Sequence, residues 1–241
     1  MSVVEAMQVQ DPRVDDAWNR SFLGRVPDPA LRDELLSNAV HSTFNAGNVV
    51  QPNDYPWLAD TWPVCLVVDG VFREFLGNES GRQATVQYMR PGDVWGLVRV
   101  LNDARIFKQR AQYQALAPSR LMSVNRAKFL AIVETRPAVA VALAKELSRL
   151  LVIRTRNFES SVFADTATRV AQHIAQLAID SEDGIPTVWL SQQELADAVG
   201  TVREVVTRII GQFRAQGMVR YSGRRLEILD YDALIEAGTL A

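Results

Sequence analysis

Residues 190–210 read LSQQELADAVGTVREVVTRII, and this stretch decides the fold of the C-terminal part of the chain. Ser191 followed by Glu194 forms a capping box, which predicts that a helix starts there. Gly200 stands where a tight turn needs a positive φ. A second helix follows, with apolar residues at helical spacing, and Gly217 is expected to end it. Two short helices joined at a glycine are typical of a helix-turn-helix.

The second helix of this pair carries polar residues opposite its apolar face. Arg203, Glu204, Thr207 and Arg208 lie on its first turns, the part that enters the major groove in this motif. Arginine suits guanine, glutamate suits cytosine, and threonine suits an acceptor or a thymine methyl. We therefore predict that these four residues read bases. The alternative is an ion pair between Glu204 and Arg208 on a solvated helix, which is compatible with base reading.

A hairpin is predicted directly after this helix. Residues 218–229, MVRYSGRRLEIL, read as two strands around a serine–glycine turn, which would form a wing. Hydroxyl, amide, arginine and backbone N–H groups suit DNA phosphates, and the residues expected to contact them are Ser191, Gln193, Thr201, Ser222, Gly223 and Arg224. Residues 203–225 contain six arginines and one acid, so the net charge of −2 conceals a basic segment.

The 241-residue chain suits two domains rather than one. From about residue 40 to 125, turn signals such as Asp69-Gly70 and Pro91-Gly92-Asp93 separate short β-type runs, which predict a small barrel or roll.

A long helix is predicted from Pro137 to about residue 161. Its apolar residues recur at spacings of three and four, close to the heptad spacing of paired helices. One interpretation is a dimer seam formed by Leu143, Leu147, Leu150, Leu151, Arg154 and Phe158. The alternative is a helix packed on its own domain, because periodicity does not identify the surface that the stripe meets.

Val199-Gly200, Arg203-Glu204 and Arg208, together with Pro91-Gly92-Asp93 and Gly96, resemble motifs of the Crp/Fnr family of bacterial transcription regulators. The resemblance runs from about Phe22 to Leu229. It implies an α+β fold with a cupin-like β-roll sensor domain of the cyclic-nucleotide-binding type, a long dimerisation helix and a C-terminal winged helix-turn-helix. The expected divisions are an N-terminal extension at 1–27, the roll at 28–136, the dimerisation helix at 137–161, a hinge at 162–165 and the DNA-binding domain at 166–241.

The same resemblance implies a homodimer that binds double-stranded DNA and interacts with RNA polymerase. Its operator would be a palindrome with half-sites like TGTGA. The alternative is a sensor protein whose winged helix binds another protein, and salt-dependent binding to duplex DNA would distinguish the two.

The residues of the expected effector pocket depart from the cyclic-nucleotide pattern. In cyclic-nucleotide-binding members, the motif continues as Gly-Glu, whereas Gly96 is followed here by Leu97. The arginine pair that grips the cyclic phosphate is replaced by Gln109-Arg110, and Arg154 stands where the long helix would contact adenine. We therefore predict that cyclic AMP is not the effector, and these five residues are the expected lining of the pocket.

Six aromatic residues fall in or near the roll: Trp57, Trp62, Tyr88, Trp95, Phe107 and Tyr113. Their simpler interpretation is ordinary core packing. The other interpretation is that they line a pocket for an apolar or aromatic effector. A sensor domain that binds nothing is a further alternative.

The residues that inorganic cofactors and catalysis require are scarce in this sequence. Haem would need an axial ligand such as His41 or Cys65, and a lone histidine or cysteine is more often structural. One cysteine and two histidines per chain argue against an iron–sulfur cluster, a metal site or a catalytic set, so we predict no cofactor and no enzyme activity. Neither a membrane-spanning run nor a secretory signal is evident, and a cytoplasmic location is expected.

Overall fold

The computed structural model describes residues 3–4, 11–37, 39–50, 63–79, 83–102, 111–180, 184–222 and 225–239. The chain divides into two compact units. One comprises Met1–Glu74 and Met89–Val152, and the other comprises Phe75–Tyr88 and Ile153–Ala241. Residues 75–88, which the sequence assigns to the roll, thus group with the C-terminal residues.

The N-terminal elements alternate short strands with helices, and their bounds are as follows. They are β1 (Val3–Val4), α1 (Pro12–Arg20), α2 (Pro29–Leu36), β2 (Val40–Phe44), β3 (Val64–Asp69), β4 (Phe72–Gly77), β5 (Gln83–Met89), β6 (Val94–Trp95), α3 (Leu97–Leu101), β7 (Gln112–Ala115), β8 (Ser119–Val124) and α4 (Arg126–Thr135).

The C-terminal elements begin with the longest helix. They are α5 (Pro137–Phe163), α6 (Thr166–Leu177), β9 (Ile179–Asp180), β10 (Pro186–Val188), α7 (Gln192–Val199), α8 (Arg203–Ala215), β11 (Val219–Ser222), β12 (Arg225–Ile228) and α9 (Tyr231–Ala237). Helix α5 continues two residues past the predicted end at 161, so the non-helical link before α6 is Ala164 and Asp165.

Antiparallel strands build the sheet of the first unit, in the order β1-β2-β8-β3-β6. A second sheet has the order β5-β4-β7. Gly96 joins β6 to α3 with φ +87, and a Cβ atom there would lie 2.3 Å from the carbonyl oxygen of Pro63. Only glycine fits this turn, because both the backbone conformation and the close approach exclude a side chain.

Two buried clusters form the core of the first unit. In one, α1 and α2 pack on the sheet through residues such as Val14, Trp18 and Leu31. Six residues of the N-terminal segment 11–26 belong to this core: Val14, Ala17, Trp18, Phe22, Leu23 and Val26. The other cluster lies inside the roll, where Trp95 packs between Phe72 at 5.0 Å and Tyr113 at 4.2 Å between ring centroids.

The second unit contains the sheet β11-β12-β10-β9 and helices α6 to α9. Asp165 caps α6 by accepting a hydrogen bond from the backbone N–H of Thr168 at 2.7 Å, which lowers the pKa of Asp165. The hydroxyl of Tyr88, on β5, forms a hydrogen bond of 2.9 Å with the Nδ1 atom of His173 on α6. Among the helices that the structure describes, none combines the length and apolar composition needed to cross a membrane.

Candidate nucleic-acid interface

Helix α7 starts with the capping box that the sequence predicts. The hydroxyl of Ser191 accepts from the backbone N–H of Glu194 at 3.2 Å, and the Glu194 carboxylate accepts from the Ser191 N–H at 2.8 Å. Gln193 is exposed, and its amide donates to the Asp197 carboxylate at 2.9 Å. Because these bonds fix both side chains at the start of α7, Ser191 and Gln193 are held at the surface of the unit.

The turn between α7 and α8 depends on Gly200. Its φ of +76 is a left-handed conformation that glycine adopts without strain. The backbone N–H of Thr201 donates to the carbonyl of Ala196 at 2.9 Å, which closes the end of α7. The half-buried Thr201 side chain therefore follows a tightly defined turn.

Helix α8 is buried on one face and exposed on the other. Val206, Ile209, Ile210 and Phe213 are each at most 5% exposed. Residues 203, 204, 207 and 208 are all exposed on the first turns of the helix. This division follows from the 3.6-residue period, because the apolar side must pack against the rest of the unit.

The exposed side chains of α8 differ in how free they are to contact a ligand. In the described part of the chain, no ion pair within 4.0 Å joins Glu204 to Arg208. The hydroxyl of Thr207 lies 2.6 Å from Oε1 of Gln192 and 2.9 Å from the carbonyl oxygen of Arg203. Its single proton is thus directed into the protein. In this conformation the hydroxyl oxygen can still accept a hydrogen bond from a base, and the side-chain methyl can still contact a thymine methyl.

The predicted wing is an antiparallel hairpin of β11 and β12, in which Arg220 pairs with Glu227 and Ser222 with Arg225. Ser222 is exposed near its tip, whereas Gly223 and Arg224 lie outside the described residues. Arg220 and Arg225, which lie on the two strands of the wing, both form ion pairs with the buried carboxylate of Glu227. Hydrogen bonds from Arg220 hold the pKa of Glu227 below its ordinary value.

Comparison with known proteins agrees with this geometry. Residues 168–237 match the family model of the Crp-like helix-turn-helix domain. The cyclic AMP receptor protein of Thermus thermophilus is 28% identical over 172 residues, covering 71% of this chain and 76% of that protein. The transcriptional regulator SdrP of the same organism is 27% identical over 198 residues, covering 80% and 92%.

Solved structures extend the likeness to the whole fold. A Crp/Fnr-family regulator from Thermus thermophilus matches with a TM-score of 0.63 and 25% identity, covering 82% of this chain and 97% of that one. A transcriptional regulator of the same family from Eubacterium rectale has a TM-score of 0.70 at 19% identity, covering 91% and 99%, and supports the fold alone. Residues 168–237 thus form a Crp-like helix-turn-helix domain, and over most of its length the chain is similar to regulators of the Crp/Fnr family. It is a transcription regulator whose helix-turn-helix is a DNA-binding domain.

The residues of the predicted dimer seam on helix α5 differ in exposure. Leu143 is 4% exposed and belongs to the core of its own unit, which leaves it little surface to offer a partner helix. Leu147 and Leu150 are partly buried against the same core. Leu151 and Phe158 are 66% and 68% exposed. The predicted stripe therefore combines residues from two different faces of the helix.

A second stripe on α5 consists of exposed residues in strict heptad spacing. Its members alternate steps of three and four and are Val141, Ala144, Ser148, Leu151, Thr155, Phe158 and Val162. Four of these side chains, at 141, 151, 158 and 162, are between 54% and 68% exposed despite being large and apolar. We name this face the α5 stripe. The spacing was present in the sequence, but only the packing shows which heptad positions remain outside the core.

The expected effector residues have different environments. Leu97, the first residue of α3, is 2% exposed and packs in the core. Gly96 supplies the turn before it, and Arg154 is half-buried on α5. Gln109 and Arg110 lie outside the described residues, as do Trp57, Trp62 and Phe107. The described residues thus give no support to the Leu97 part of the predicted pocket.

The two residues considered as haem ligands have ordinary structural surroundings. Cys65 is completely buried in β3, with its Sγ atom 3.4 Å from Oγ of Ser123. His41 is half-buried, and burial together with the nearby Arg120 lowers its pKa. Within the described ranges, no three residues of the metal-ligating types are clustered.

Proposed function

We propose that this regulator is a homodimer that reads a palindromic DNA site through α8. The observation that carries the proposal is the exposure of Arg203, Glu204 and Arg208 on the first turns of a helix whose other face is buried. Each arginine can form two hydrogen bonds to guanine, and the glutamate can accept one from cytosine. These preferences agree with half-sites like TGTGA arranged as an inverted repeat.

Contacts to DNA phosphates are assigned to residues before α8 and in the wing. Ser191, Gln193 and Thr201 precede α8 along the chain, and Ser222, Gly223 and Arg224 occupy the predicted turn between the two strands of the wing. Because Glu227 forms ion pairs with Arg220 and Arg225, we assign Arg224 as the main positively charged residue of the wing that contacts phosphate. Such contacts position the helix without specifying sequence.

Dimerisation is assigned to the α5 stripe. Pairing two copies along it would bury the exposed apolar side chains at 141, 151, 158 and 162, and strict heptad spacing is the pattern that paired helices require. A two-fold dimer would present two recognition helices to successive major grooves, about 34 Å apart. Arg154 stands at a flanking heptad position and is assigned to the edge of this interface.

SdrP and the Crp/Fnr-family protein of Thermus thermophilus named above are transcriptional regulators, which favours a regulatory and non-enzymatic role. RNA polymerase is the partner that such a role implies, and the site of action is the cytoplasm, where a bacterial operator lies. Cyclic AMP is assigned no role, because Leu97 replaces the carboxylate of the cyclic-nucleotide motif.

The proposal is tested by fluorescence anisotropy of the full chain with a duplex that carries inverted TGTGA half-sites and with a scrambled duplex. Specific binding should exceed non-specific binding by about 10³-fold or more, with affinity falling as salt rises. Equal affinity for both duplexes would contradict sequence reading. Salt-independent binding, or none, would favour a winged helix that binds protein.

A further inference from the structure

A cavity of about 650 Å³ opens in the first unit between the loop after α1 and the first turns of α5. This volume falls within the range of small-molecule sites, roughly 300–1,000 Å³. Its apolar wall includes Phe22, Val26, Val141 and Ala142. Phe22 and Val26 are also members of the buried core cluster, so this wall is supported from behind.

Charged side chains surround the apolar wall. Arg25, Lys145 and Arg149 line the cavity together with a single acid, Glu146. Glu146 is 7% exposed, and its two carboxylate oxygens accept from Nη2 and Nε of Arg149 at 2.6 and 2.9 Å. The acid is thus neutralised by Arg149. Among the described residues, no acidic group lies within 4.0 Å of the charged atoms of Arg25 or Lys145, which leaves two cations at the cavity.

The third cation is fixed in place. Besides Glu146, Arg149 has the Asp93 carboxylate 3.6 Å from its Nη2 atom. A guanidinium held by two acids has little rotational freedom, which reduces the entropy cost of binding an anion through its remaining N–H groups.

We propose that this cavity binds a small organic anion with an apolar body, of the medium-chain carboxylate type, and that this ligand is the effector of the regulator. The apolar wall matches the body of such a molecule, and Arg25 and Lys145 match its carboxylate. Val141 belongs both to the wall and to the α5 stripe, so occupancy would be linked to helix pairing. This regulatory part rests on the proposed dimeric DNA-binding function.

The binding part is tested by titration calorimetry of the full chain with decanoate. Decanol and decyltrimethylammonium serve as neutral and cationic probes of similar length. We expect one saturable site per chain for decanoate and at least tenfold weaker binding of the cationic probe. Lys145→Glu should weaken decanoate binding at least tenfold, since it replaces an attraction with a repulsion. Lys128→Glu, which reverses a lysine outside the cavity lining, should leave binding within about twofold.

Four results would overturn the proposal. Absence of saturable decanoate binding, or binding that Lys145→Glu leaves unchanged, would refute the site. Dissociation of the dimer by Lys145→Glu without any effect of decanoate would mean that a second copy of the chain covers the cavity. Binding of decanoate with an operator affinity unchanged within twofold would refute the effector role. Operator binding measured without decanoate tests the proposed function separately.

Discussion

Arg220 donates two hydrogen bonds to the carboxylate of Glu227 across the wing, from Nε at 2.9 Å and from Nη2 at 2.5 Å. Arg225 approaches the other carboxylate oxygen at 3.0 Å. Two arginines therefore converge on one buried acid inside a hairpin expected to face DNA. The acid fixes the shape of the wing and reduces the positive charge that these two arginines present.

Acidification should weaken the second unit through Glu227. The pKa of Glu227 lies below its ordinary value, chiefly because of the hydrogen bonds from Arg220. A lowered pKa contributes stability that is present above the unfolded value of 4.5 and is lost as the pH falls through the folded value. We expect the difference in unfolding free energy between the wild-type protein and Glu227→Gln to shrink between pH 6 and about pH 3.5. Urea unfolding measures it.

Glu236→Gln is the matched control, because Glu236 is an exposed acid of the same unit. Its difference from wild type should stay small over the same range. A Glu227→Gln difference that is independent of pH would contradict the role given to the Arg220 hydrogen bonds.

Substitutions at Leu143 and at Leu151 should affect different properties: the first the stability of the fold, the second the dimer. Leu143→Ala removes a buried side chain and should cost about 2–5 kcal/mol of unfolding free energy, while the dimer persists. Leu151→Glu places a charge on the α5 stripe and should yield folded monomers. Analytical ultracentrifugation and thermal unfolding together measure both effects.

Arg156→Glu is the control for the charge change, since Arg156 is exposed on α5 and lies outside the stripe. It should leave the dimer intact. Dissociation by Leu143→Ala but not by Leu151→Glu would show that the helices pair through another face.

Cyclic AMP should fail to bind. Leu97 is buried and apolar where the cyclic-nucleotide motif has a carboxylate. A cyclic phosphate and ribose buried without matching groups would bear a desolvation penalty of a few kcal/mol. Calorimetry should detect no binding at micromolar nucleotide, with the cyclic AMP receptor protein of Thermus thermophilus as the positive control. Micromolar affinity would overturn this account of the sensor domain.

Arg203 should specify sequence rather than overall affinity. Arg203→Ala is expected to lose about 1–3 kcal/mol of discrimination at one base pair, with non-specific binding nearly unchanged. Arg214→Ala is the control, because Arg214 is exposed on the last turn of the same helix. Competition anisotropy with single-base operator variants measures both proteins. Equal loss of preference in the two variants would mean that α8 is positioned differently.

The sequence was most informative where local chemistry determines structure. The Ser191–Glu194 capping box and the Gly200 turn depend on residues within a few positions of each other, so both were predictable. Long-range packing could not be predicted from the sequence. The spacing of Leu143 and Leu151 is helical in either case, and only the position of the core separates them. The pairing of Arg220 with Glu227 depends on the hairpin register, which places these two residues opposite each other.

Selection from random duplexes tests the central claim most directly. With the wild-type protein, the account predicts an inverted repeat whose half-sites have G·C pairs at their core, spaced by about one helical turn. With Arg203→Ala, it predicts the same repeat with the preference lost at one G·C position in each half-site. A consensus without core G·C pairs, or an unchanged consensus from Arg203→Ala, would contradict base reading by the exposed face of α8.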